Sequence, residues 1–274
     1  MTDAQPATQP TAQPTTLPTT QPQWVLTGPT AVGKTELSLR IAEARGLEIL
    51  SMDSMAIFRQ MDIGTAKPSD AEQQRVPHHL INLVDPTESF DTHRWCSAAD
   101  AVVDELRTRE RGALFAGGTP LYLMAYFKGM LEGPNAQPEL RARLTAREAE
   151  IPGCLYEELG RVDPEAVGRI HRNDHKRIVR ALEVYELTGT PISEQQDSFD
   201  APGWLRPCRI VALTRPRDEL HQRVRARTVA MLEGGLIDET RAIRDGGGFS
   251  APAAAAIGAM PATRSGKRAE RLSV

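Results

Sequence analysis

The chain has 274 residues, 40% of them hydrophobic, with 33 Lys+Arg against 36 Asp+Glu and a formal net charge of −3. That length suits one large α/β domain or a core domain with a smaller insert, and so small a net charge removes overall composition as a sign of nucleic-acid binding. Cys96, Cys154 and Cys208 are too far apart for a C-x-x-C pair, which argues against a disulfide framework or thiolate metal site and fits a reducing cytosol.

The opening stretch MTDAQPATQPTAQPTTLPTTQPQ lacks the basic and apolar regions of a secretory signal. It repeats Thr, Gln and Pro and buries too little to offset its ordering entropy, so residues 1–22 are expected to be a disordered tail. No apolar run approaches the roughly 20 residues that span a bilayer, and the expectation is a cytoplasmic protein with no membrane partner.

QWVLTG then reads as a short strand entering GPTAVGKT, Gly28 to Thr35, which fits the phosphate-binding pattern G-x-x-x-x-G-K-[ST]. KTELSLRIAEARG follows with Leu37, Ile41 and Ala44 at helical spacing. LEILSMDS reads as a second strand ending in Asp53, RWCSAADAVVDELRTRERG as an amphipathic helix stopped by Gly112, and ALFAGGT as a third buried strand before the helix TPLYLMAYFKGML. Strands alternating with helices predict a P-loop NTPase-like α/β fold, a doubly wound parallel sheet with its ligand at the strand C-termini.

Near Gly133 the pattern changes to short helical stretches broken by Pro, Gly and Asp, and 134–200 is expected to be a helical insertion domain. CRIVALT restores a core strand and RPRDELHQRVRARTVAMLEGG a long helix. The core domain is therefore expected to comprise 23–133 and 201–258, followed by a divergent tail over 259–274. Residues 200–274 carry 13 basic against 8 acidic side chains, a mild bias that either faces an anionic partner or is an ordinary solvated surface.

In the glycine loop, backbone N–H groups between Gly28 and Lys34 would converge on phosphate oxygens, Lys34 would add a point charge, and the Thr35 hydroxyl can hold Mg²⁺. A nucleotide hydrolase would end a strand near this loop in an acid, but ALFAGGT ends in Gly117-Gly118-Thr119. The acid lies at Asp53, where a carboxylate facing phosphates suits a general base. Taken alone, Asp53 could equally be a turn residue and Thr119 a helix N-cap.

GPTAVGKT, DSMAIFRQMDIGTAKP, VPHHLIN, GGTPLYL, PELRARL and HRNDHKRIVRALEVYELTG occur in this order, and together they closely resemble the tRNA dimethylallyltransferases over residues 24–258. The resemblance implies transfer of a dimethylallyl group from dimethylallyl diphosphate to N6 of the adenine at tRNA position 37, with diphosphate as leaving group. By that likeness Gly28, Pro29, Thr30, Ala31, Val32, Gly33, Lys34, Thr35 and Arg227 hold the diphosphate, and Thr35 a Mg²⁺. Asp53 is the base and Thr119 a hydrogen-bonding partner near the reacting centre. Asp53, Ser54, Met55, Ala56, Arg141, Lys176, Arg177, Ile178, Val179 and Arg180 are implied to contact the anticodon stem-loop, and His78 also matches a position near the diphosphate.

Helical spacing independently puts Lys176, Arg177 and Arg180 on a basic ridge with Ile178, Leu182 and Tyr185 opposite; a salt-bridged surface helix would look the same. After Gly258 the likeness ends. Family members continue with a Tyr and a basic helical region, whereas this chain reads AMPATRSGKRAERLSV. That departure suggests a deletion or frameshift and makes a tRNA-binding remnant one alternative to a monomeric prenyltransferase; a phosphate-loop kinase, which shares the loop and the α/β core, is the other.

Overall fold

The computed structural model describes residues 22–129, 133–134, 136–194 and 204–256. The expected N-terminal and C-terminal tails lie outside the described residues, apart from Pro22. The strands β1 (Gln23–Thr27), β2 (Leu47–Ser51), β3 (His78–His79), β4 (Gly112–Ala116) and β5 (Cys208–Ala212) form one sheet of order β3-β2-β4-β1-β5, with every pair parallel.

Side chains alternate across the strands, and the alternation sorts the core into two faces. Val25, Leu50 and Phe115 point to one side, where they join Trp95, Ala99 and Val103 of α3 (Thr92–Thr108) and Tyr122, Tyr126 and Phe127 of α4 (Pro120–Phe127). Leu26, Ile49 and Leu114 point to the other, against Leu39 and Ala42 of α1 (Lys34–Arg45). The Trp95 ring stacks on Tyr122 at 4.4 Å between centroids, and its indole N–H donates to Ser51 O at 3.3 Å, which fixes the end of β2.

Between β2 and α3 two short elements escaped the sequence pattern: α2 (Asp70–Arg75), closed by a capping box between Ser69 and Glu72, and the two-residue β3. Gly112 opens β4 rather than stopping α3, whose last residue is Thr108.

Between α4 and β5 the described chain is helical: α5 (Pro138–Glu150), α6 (Cys154–Val162), α7 (Pro164–Arg169) and α8 (His175–Thr188). They share a core of their own, built on Leu140, Leu144, Leu155, Leu159, Ile178 and Leu182. The chain returns through Arg206, whose guanidinium pairs with Asp100 at 3.0 Å and lies over the Tyr126 ring.

CRIVALT does return the chain to the core sheet, pairing with β1, but at its margin. β5 is an edge strand, and Ile210 and Val211 remain 37% and 46% exposed. The long helix that follows, α9 (Arg217–Glu233), has no buried residue, and α10 (Leu236–Asp245) then packs back through Thr240 and Ile243.

Glu48 on β2 sits among cations although its side chain is only 4% exposed. It accepts from His79 Nε2 at 2.7 Å and Arg109 Nη1 at 3.0 Å, with Arg111 Nε at 3.5 Å. Burial pushes its carboxyl upward, but these partners outweigh burial and hold it below the ordinary value. Its folded pKa being depressed, its contribution is present above the unfolded value near 4.5 and is lost as pH falls through the lower folded value. Urea titrations from about pH 6 to 3 should show stability falling through that window by up to about 1.4 kcal/mol per pH unit for this group. Glu48→Gln should flatten that part of the slope; an unchanged slope would remove Glu48 from the account.

Candidate active site

The strand C-termini build one wall of a cavity of about 720 Å³. At the end of β1 the chain turns through Gly28 at φ 144°, where a Cβ would stand 2.6 Å from Leu213 O, so only glycine lets the loop leave the sheet there. Gly33 then takes φ 107° and no side chain caps α1, which leaves its first-turn N–H groups without a side-chain acceptor, as an anion-receiving helix start requires. Lys34 Nζ donates to Gly28 O at 2.8 Å and Pro29 O at 3.0 Å. Burial lowers the Lys34 pKa and Arg227 reinforces this, while Asp53 opposes it.

The second wall comes from β2 and β4. Met52 N donates to Ala116 O at 2.9 Å and Thr119 N to Met52 O at 3.1 Å, so the two strand exits stay zipped beyond the sheet. This approach requires Gly117, because a Cβ there would lie 2.3 Å from Met52 O. The result is that Asp53 and Thr119 line one cavity with Lys34 and Thr35.

Asp53 Oδ1 accepts from Met55 N at 2.8 Å and Ala56 N at 3.4 Å, forming the turn that the bland reading anticipates. Among the described residues nothing donates to Oδ2. Thr119 occupies the N-cap position of α4, yet its hydroxyl does not cap. Instead Thr119 Oγ1 accepts from the backbone Ser54 N at 3.1 Å, a further tie between the two strand exits.

The third wall is α9 with the loop 64–66. Arg223 and Arg227 stand one helical turn apart and both line the cavity. Arg227 Nη2 donates to Thr65 O at 3.4 Å, and burial lowers its pKa against the opposing charge of Asp53. Arg223 Nε donates to Ala31 O at 2.6 Å and Arg215 Nε to Val32 O at 2.7 Å, so two guanidiniums brace the outside of the glycine loop. Sequence reasoning singled out Arg227 but missed Arg223, which the four-residue spacing could have found. It also missed Arg215, for which no local signal exists.

Of the remaining expected site residues, Thr30, Ala31, Gly33 and Met55 line the cavity, and Val32 and Ala56 are buried beside it. His78 does not line it. This ring sits on β3 with Nδ1 on Val76 O at 2.8 Å, and burial lowers its pKa.

The helices 138–188 place the other expected residues around Glu183, which is 0% exposed. Arg141 grips it with two bonds, at 2.9 and 2.7 Å, and Arg180 with one at 2.7 Å, while Gln137 N donates at 2.7 Å. Burial pushes the Glu183 carboxyl up, and these donors more than reverse it. Arg141 and Arg180 are thus engaged with a buried carboxylate, so the basic ridge reduces to Lys176 and Arg177, with Arg177 facing Asp174 at 3.4 Å. Ile178 is buried at 1% and turns its side chain to the helical core, and Val179 packs partly against the same core. Tyr185, expected to be buried, is only partly so.

Residues 56–266 match the family model described as IPP transferase, and residues 23–85 one described as isopentenyl transferase. The chain belongs to the IPP transferase family. The match reaches past Gly258, where the motif resemblance stops. Among the family's curated members, the tRNA dimethylallyltransferase of Halorhodospira halophila is 44% identical over 241 residues, 86% of this chain and 78% of the relative. That of Bordetella petrii is 45% identical over 80% of this chain and 71% of its own length. The tRNA isopentenylpyrophosphate transferase structure from Bacillus halodurans superposes with a TM-score of 0.59 at 36% identity, covering 88% of this chain and 76% of the other. A eukaryotic dimethylallyltransferase captured acting on tRNA gives 0.68 at 27% identity, over 82% of this chain and 56% of the other. No helix among the described residues is long and apolar enough to cross a membrane.

Proposed function

We propose that this chain transfers a dimethylallyl group from dimethylallyl diphosphate to N6 of adenine 37 in tRNA, releasing diphosphate. One observation carries the reading. A phosphate-cradling loop with its lysine shares a cavity with a carboxylate and a hydroxyl from two other strand ends, in a member of the IPP transferase family.

The reaction is a single displacement. The lone pair on N6 forms the new C–N bond at the allylic carbon, the C–O bond to diphosphate breaks, and the leaving oxygen keeps that electron pair. The carboxylate of Asp53 takes the N6 proton through its second oxygen, since Oδ1 is held by backbone donors. The Ser54–Thr119 link fixes the loop that carries this base. Lys34, Arg227 and the amides at the start of α1 receive the charge that grows on the diphosphate. Because an allylic carbon tolerates positive charge, alignment and leaving-group stabilisation are the demanding tasks. Thr35 lines the cavity and would hold Mg²⁺ together with the diphosphate, the ion supplying further charge neutralisation.

The adenine must leave the anticodon stack to reach Asp53, at a cost of a few kcal/mol. Lys176 and Arg177 are the exposed cations best placed to meet tRNA phosphates, with Arg141 and Arg180 holding the helix that carries them.

Incubation with labelled dimethylallyl diphosphate, Mg²⁺ and unmodified tRNA tests the reading. Label should enter adenosine 37 and diphosphate should appear only when tRNA is present. Transfer of the γ-phosphate of ATP to an acceptor, with no prenylated nucleoside, would overturn it.

A further inference from the structure

We infer that Glu239, on α10 and outside the cavity, is a positioning residue that sets the diphosphate end of the site through the backbone of residues 62–64. Its Oε2 accepts from Asp62 N at 2.8 Å and Ile63 N at 2.7 Å, and its Oε1 from Gly64 N at 3.0 Å. Consecutive amides converging on one point form a concave nest that favours an anion, and here the anion is a side chain of the protein itself.

Apart from the bond that Thr65 O receives from Arg227, the loop is fastened by residues near it in the chain. Lys67, its side chain 3% exposed, donates to Phe58 O, Asp62 Oδ1 and Asn82 Oδ1 at 2.6–2.7 Å. Thr65 Oγ1 donates to Met61 O at 2.6 Å, and Ala66 takes a left-handed φ of 47°, a conformation that side-chain-bearing residues adopt only when their surroundings hold them. Glu239 adds three short bonds from a distant part of the chain.

The opposite side of the same loop is functional wall. Gly64, Thr65 and Ala66 line the cavity, and Thr65 O receives Arg227. A continuous series of contacts thus runs from the Glu239 carboxylate through the amides 62–64 to Thr65 O and the Arg227 guanidinium. Releasing the loop would misplace Arg227, and it would leave Asp53 and the helices 138–188 in place. Gln cannot substitute, because one amide oxygen cannot receive donors arriving at two carboxylate oxygens, and its NH₂ would face an N–H.

This inference rests on the diphosphate reading of the cavity, and its test uses binding as well as turnover. Inorganic diphosphate with Mg²⁺ is titrated calorimetrically into wild type, E239Q, R227A and the double variant, with an anticodon stem-loop titrated in parallel. E239Q should weaken diphosphate binding by on the order of tenfold, with unchanged stoichiometry and stem-loop affinity within about twofold. The double variant should bind no more weakly than R227A alone, since both changes remove one effect. An unaltered diphosphate affinity in E239Q, or a loss confined to stoichiometry and melting temperature, overturns the proposal. Should E239Q fail to accumulate folded, E239D, which keeps the charge and shortens the reach, must show the same selective loss. Wild type that binds diphosphate without prenylating tRNA would sink the proposed function and leave this inference standing.

Discussion

Asp53→Asn is expected to lower the transfer rate by roughly 10²–10⁴-fold, the range of a lost general base, with stem-loop affinity changed by no more than a few-fold. Asn is the informative replacement because its carbonyl oxygen can still accept from Met55 N and Ala56 N and so preserve the turn. Asp53→Ala removes the base and the turn together, and should be at least as slow. Single-turnover rates with saturating dimethylallyl diphosphate and tRNA read this directly. A D53N enzyme within tenfold of wild type would mean that the proton leaves by another route and that the carboxylate serves mainly to shape the loop.

Glu183→Ala should produce the largest change in stability. The substitution removes the acceptor shared by Arg141, Arg180 and the Gln137 amide, and leaves two guanidiniums beside an emptied space. Breaking a buried pair costs about 3–5 kcal/mol, and the partly exposed arginines can recover some hydration, so a loss on the order of 2–4 kcal/mol is expected. At roughly 2–4 °C per kcal/mol for a chain of this size, melting should fall by about 5–15 °C. Glu183→Gln keeps one acceptor and should lie between. A melting temperature unchanged within about 1 °C in Glu183→Ala would show that this network adds nothing net.

Much of the site could be read from the sequence because its parts are local. The glycine loop is a contiguous pattern, and Asp53 and Thr119 stand where apolar runs end, which in a parallel sheet means the same rim. Even the bland readings found their counterparts. Asp53 does make a turn, and Thr119 does stand at an N-cap, and both still face the cavity. What escaped was set by distant partners. The grip of Arg141 and Arg180 on a buried carboxylate was not legible, although Glu183 three residues after Arg180 was a clue. Glu239 meets its amides across about 175 positions, and no window of sequence reports that. β5 shows the same limit in the fold. An apolar run fits a central strand and an edge strand equally well, and the difference depends on what packs beside it.

The hold that Lys34 keeps on Gly28 O and Pro29 O bears on which solutes the loop will tolerate. Two of its three ammonium hydrogens are spent on these peptide oxygens, so a single N–H is left to offer to an arriving anion. A small lone anion meets little more than that one hydrogen, whereas a chain of linked phosphates would reach the helix amides and the cation at once. The expected consequence is a preference for linked phosphates over single small anions, set by the reach of the loop rather than by its charge alone.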